Sequence, residues 1–146
     1  MQNDCLICGK HLDDTFEIYR NEYLVINHFV LKPDGEDNYL GYYMIESRRH
    51  FKGFYDASEE EAAALGNAQR ALAKAMKKAL ECEHVYFFVL GDGIPHLHIH
   101  AVAKYTGAPR EFWGPRVDDW PEAPRGGEKE ILKVNEAVAA ELNKIV

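Results

Sequence analysis

Residues 84–105 read HVYFFVLGDGIPHLHIHAVAKY. Two apolar, β-favouring runs flank the turn formers Gly91, Asp92 and Gly93, which is the pattern of two neighbouring strands, His84–Leu90 and His96–Tyr105. In the second run His96, His98 and His100 alternate with Leu97, Ile99 and Ala101. Strand side chains point to opposite faces in turn, so the three histidines share one face and the aliphatic residues look towards a core. No packing requirement produces three imidazoles in that register.

Working outward, Ser58 opens a helix that runs to Cys82. Its hydroxyl can cap free backbone N–H groups, and Glu61 can return to the cap's own N–H. Leu65, Ala68, Leu72, Ala75, Met76 and Ala79 keep the spacing of one apolar stripe. Upstream, Thr15–Arg20 and Tyr23–Phe29 read as a hairpin, Lys32–Asn38 as a loop, and Tyr39–Ile45 as a third strand. Residues 106–127 are irregular, and Glu128 to the C-terminus is a final helix. The order β-β-β-α-β-β-α gives an α+β fold: an antiparallel sheet of about five strands with the main helix on one face, plus a C-terminal helix. We expect a single domain over 1–146, with an N-terminal arm at 1–14 and a C-terminal extension at 106–146.

Composition narrows the function. The chain has 146 residues, 47% apolar and 28% charged, with a formal net charge of -7. No basic run offers a nucleic-acid footprint. No stretch reaches the ~18 apolar residues of a membrane span, and the polar start lacks a signal-peptide core, so cytoplasm is the default location. A small phosphate-bearing substrate needs only a few donors and fits this balance. Cys5 and Cys8 form a C-x-x-C pair and Cys82 stands alone, an odd count that argues against a disulfide framework. Cys82 reads as a small buried hydrophobe.

The histidine strand admits two chemistries. Neutral imidazoles are common metal ligands, and three together could form a metal triad. Alternatively, one imidazole attacks phosphorus while flanking donors stabilise the developing charge. His96 to Val102 also fits the pattern His-φ-His-φ-His-φ-φ, with φ apolar, and so resembles the histidine triad superfamily over roughly residues 4–113. The tail beyond Trp113 has no clear counterpart. The resemblance implies that His98 is the nucleophile on a nucleotide α-phosphate and that His100 binds phosphate oxygens. Water would then release a nucleoside monophosphate. The alternatives are a nucleotidyl transferase or phosphorylase, and a nucleotide-binding protein without catalysis. Relatives with transferase or phosphorylase activity usually carry glutamine where His100 stands, which favours a hydrolase.

The same resemblance implies a structural zinc ion held by Cys5, Cys8, His50 and His96, as in some bacterial members, and a homodimer. His50 belongs to a segment that resembles the Ile-Pro-Lys-x-His run of the family, and His11 is the other histidine near the cysteine pair. The sequence departs from the family at Gly41-Tyr42, where Gly-His is usual, at Glu46, where proline is usual, and in the short turn 91–95. Gly93 takes a substrate-binding position there through its backbone. For the ribose grip Asn27, His28 and Asp34 compete, with Asn27 preferred. Trp113 and Trp120 either cover the leaving-group site or pack on the domain surface or a partner. Lys104 and Arg110 read as surface charges, and His11, His28 and His84 carry no assigned role.

Overall fold

The computed structural model describes residues 4–146, so the first three residues of the arm lie outside it. In chain order the elements are α1 (Leu6–Lys10), β1 (Glu17–Arg20), β2 (Leu24–His28), β3 (Asn38–Tyr39), β4 (Tyr42–Ser47), α2 (Glu59–Leu80), β5 (His84–Phe88), β6 (His98–Lys104), β7 (Arg125–Gly126) and α3 (Glu128–Leu142). Five strands form one antiparallel sheet in the order β1-β2-β4-β6-β5. The short β3 and β7 pair separately.

Each central strand has two different faces. Tyr43 and Ile45 of β4 and Ile99, Ala101 and Ala103 of β6 meet Leu65, Leu72 and Met76 of α2 in the main core. Burying each large aliphatic side chain contributes about 2 kcal/mol. α2 begins as expected: the Glu61 amide donates to Ser58 Oγ at 3.0 Å, and the Ser58 amide donates to the Glu61 carboxylate at 2.9 Å. Cys82 is buried in this core and 2% exposed.

The opposite face carries Tyr42, Met44 and Val102, which join Val117, Trp120 and Ala123 of the tail in a second apolar cluster. His98, His100 and Glu46 continue that face towards the other end of the sheet. Three expectations need correction. The N-terminal arm, whose polar sequence reads as turn-like, closes one helical turn over residues 6–10, capped by Cys5. The strand expected over Tyr39–Ile45 is two strands, broken at Gly41, where φ is +85°. A Cβ there would also meet the Tyr105 hydroxyl at 2.7 Å. Finally, His96 precedes β6: the flanking Leu97 amide donates to the Phe51 carbonyl at 2.7 Å, outside the ladder.

The tail packs against the rest of the molecule. α3 lies on α2 and β1, with Val138 and Leu142 fully buried in the main core. The Tyr43 hydroxyl donates to Asn135 Oδ1 at 2.9 Å, and the Asn135 amide reaches the Phe16 carbonyl at 3.3 Å. No described helix is long and apolar enough to cross a membrane.

Candidate active site and metal centre

The three histidines divide between two places. His96 is fully buried and turns its ring towards the arm. Its Nε2–H donates to the Ser47 carbonyl at 2.6 Å; a carbonyl only accepts, so Nδ1 keeps its lone pair. That lone pair lies 3.5 Å from both Cys5 Sγ and Cys8 Sγ, and Cys8 Sγ lies 3.4 Å from His50 Nδ1.

These separations suit the edges of a metal polyhedron. With Zn–S near 2.3 Å and Zn–N near 2.0 Å at tetrahedral angles, an S···N edge is about 3.5 Å. All four ligand atoms lie within 4.8 Å of one another. The Cys8 amide donates to Cys5 Sγ at 3.4 Å, and Ser47 fixes the tautomer of His96, as outer-shell partners of a metal site do. The donor set of two thiolates and two imidazoles fits a structural zinc ion with no open position. His11 is not among the four.

His98 and His100 face a separate cleft of about 320 Å³, together with Lys10, Met44, Glu46, Gly93 and Ile94. The reading of one metal bound by all three histidines is therefore not the observed arrangement. The Nδ1–H of His98 donates to the His96 carbonyl at 2.6 Å, which leaves Nε2 as the lone-pair nitrogen of the neutral ring. His100 stacks on Phe88 with ring centroids 4.6 Å apart and an interplanar angle of 14°. Its Nδ1 is 2.7 Å from the Tyr42 hydroxyl. Burial, and secondarily the neighbouring His98, push the His100 pKa down to about 4, so it is neutral near pH 7. Burial raises the Tyr42 phenol well above its usual range, so it stays protonated and can donate to His100.

Glu46 lies opposite His98 in the β4–β6 register and is fully buried. Its carboxylate accepts from Asn27 Nδ2 at 2.6 Å and Lys10 Nζ at 2.5 Å, and meets His11 Nε2 at 3.3 Å. Burial alone would raise its pKa, but His11, Lys10 and Asn27 together hold it below the usual carboxylate value. Asn27 thus commits its amide to Glu46, and it lines an adjoining cavity of about 230 Å³ that also includes Lys10, Phe29 and His28. His28 is buried, and both its ring nitrogens have backbone partners. Asp34 sits on the exposed loop.

The distal residues fall to packing. Lys104 pairs with Glu83 at 3.4 Å and lies 3.8 Å from the centroid of the Trp113 ring. Arg110 also sits by Trp113, and Trp120 belongs to the second core. Sequence reasoning missed Lys10, His11, Tyr42 and Phe88 as neighbours of the site. The alternation that placed the histidines on one face would place Tyr42, Met44 and Glu46 on the same face once β4 is paired with β6.

No protein-family model and no curated protein matches the sequence. Solved structures do match. A zinc-bound histidine triad family protein from Mycobacterium smegmatis is similar over 97% of this chain and 96% of that one, at 16% identity and a TM-score of 0.71. The fold is the histidine triad fold. A hypothetical histidine triad nucleotide-binding protein from Sulfolobus tokodaii covers 96% of this chain and 93% of its own, at 18% identity and a TM-score of 0.70. A histidine triad family hydrolase from Clostridium thermocellum covers 75% of this chain and 98% of its own, at 15% identity and a TM-score of 0.57.

Proposed function

We propose that the chain is a histidine triad nucleotide hydrolase that cleaves a P–O or P–N bond at a nucleotide α-phosphate, with His98 as nucleophile. The observation that carries this reading is the tautomer lock on His98. With Nδ1–H committed to the His96 carbonyl, the free lone pair is on Nε2, and His98 lines the cleft. In the proposed step Nε2 forms a bond to phosphorus as the bond to the leaving group breaks. Water then attacks phosphorus, the N–P bond breaks, and a nucleoside monophosphate leaves. His100, neutral and oriented by Tyr42, presents Nε2–H to the phosphate oxygens. The Gly93 backbone and the cavity beside Asn27 complete the substrate site. Zinc on Cys5, Cys8, His50 and His96 holds the arm against the strand and takes no part in bond making. Among neighbours of the same fold, one is named nucleotide-binding and one a hydrolase, which supports the reading.

The test is intact-mass spectrometry after rapid mixing with an adenylylated amine and an acid-free quench. Wild type should gain one adenylyl group, and His98→Ala should gain none. Full turnover by His98→Ala would exclude the covalent route.

A further inference from the structure

We infer that Lys10 makes the histidine cleft receptive to phosphate by neutralising Glu46, so that the arm carrying the two cysteines also sets the charge of the site. The inference rests on the reading that this cleft takes a nucleotide phosphate. Glu46 is an unusual occupant for such a place. It is a fully buried carboxylate that lines the same cleft as His98 and His100. It stands directly across from His98, so their Cα atoms are about 5 Å apart and their side chains share a face. A bare carboxylate there would repel an incoming phosphate through a poorly screened path.

Lys10 supplies the compensating charge. Its Nζ reaches Glu46 at 2.5 Å, while its side chain keeps 40% exposure and lines the cleft rim. Lys10 is the one lysine or arginine among the residues lining that cleft, and it also lines the adjoining cavity beside Asn27. Asn27 and the His11 ring satisfy further lone pairs of Glu46, but a neutral amide does not cancel its charge. Lys10 closes the helical turn that starts at Cys5 and includes Cys8. The position of this cation is thereby tied to the Cys/His cluster.

Isothermal titration of the zinc-loaded full chain with AMP and with adenosine separates charge from fit. Wild type should bind AMP more tightly than adenosine. Lys10→Ala should lose roughly tenfold or more of AMP affinity while adenosine affinity stays unchanged. Lys10→Met, which keeps the aliphatic stem, should behave the same way and guards against a packing effect. Adding Glu46→Gln to either variant should restore AMP binding, and bound zinc should remain at the wild-type level throughout. Unchanged AMP affinity in both single variants overturns the inference. So does a double variant as weak as Lys10→Ala, which would make Lys10 a direct phosphate contact. A wild-type protein that shows no preference for AMP over adenosine overturns the phosphate reading of the cleft itself.

Discussion

His28 shows how one side chain sets the geometry of a neighbouring strand. Its Nδ1–H donates to the Phe29 carbonyl at 2.7 Å, and its Nε2 accepts from the Gly41 amide at 3.0 Å. The ring also packs edge-on against Tyr43. It thus pins the residue from which β4, with Tyr42 and Glu46, departs. Burial pushes its pKa from 6.5 down to about 4. The unfolded chain therefore binds a proton that the folded chain refuses, and stability falls as pH drops. The contribution is complete above pH 6.5 and declines through the window down to about pH 4, by an amount on the order of 3 kcal/mol. Urea unfolding at pH 7.0 and 4.5 checks this. The stability advantage of wild type over His28→Gln should shrink across that interval, and a constant difference would refute the assignment. Nothing local in the sequence marks His28 for this part, because its partner amide lies 13 residues away across a turn. The same holds for Lys10 and Glu46, 36 residues apart, and for Tyr42 and His100, 58 apart. The triad histidines were legible because their signal is periodic and local.

At the scale of elements, strong patterns carried through and short breaks did not. The Ser58 cap, the α2 stripe and the β5–β6 hairpin all follow from residue types and spacing alone. The split between β3 and β4 does not, because Tyr39–Ile45 is uniformly β-favouring apart from Gly41. The signal was that glycine, which adopts a positive φ without penalty. Gly41→Ala should destabilise the fold by at least 1–2 kcal/mol for the left-handed backbone alone, with crowding against Tyr105, Leu80 and Ala103 added. Denaturant melts should show this shift, and an unaltered midpoint would mean that the turn can be rebuilt without it. The one-turn helix α1 was also hidden. A five-residue segment has too little periodicity to read, and its order comes from the Cys/His cluster and from the Lys10–Glu46 pair.

At the scale of the whole molecule, the sheet separates two functions. One face joins α2 and α3 in the main core. The other grades from the tail cluster to the imidazole cleft. The tail was the least legible part because its anchors, Asn135 on Tyr43 and Trp120 in the second cluster, are tertiary contacts with no local pattern. The metal centre links three distant segments, so stability should follow metal activity by mass action. Calorimetry with added chelator should give a lower melting temperature, and graded free zinc should raise it. Cys8→Ser should lose that dependence, and a wild-type midpoint indifferent to zinc would remove the metal from the architecture.

The span of that link has a consequence for biosynthesis. Cys8 precedes His96 by 88 residues, so at ribosomal rates roughly 4 to 18 s separate the appearance of the thiols from that of their last imidazole partner. During this interval the nascent chain carries both thiols without the His96 imidazole. The arm is made early and settles late, and the order in which thiol, cation and imidazole meet is dictated by translation.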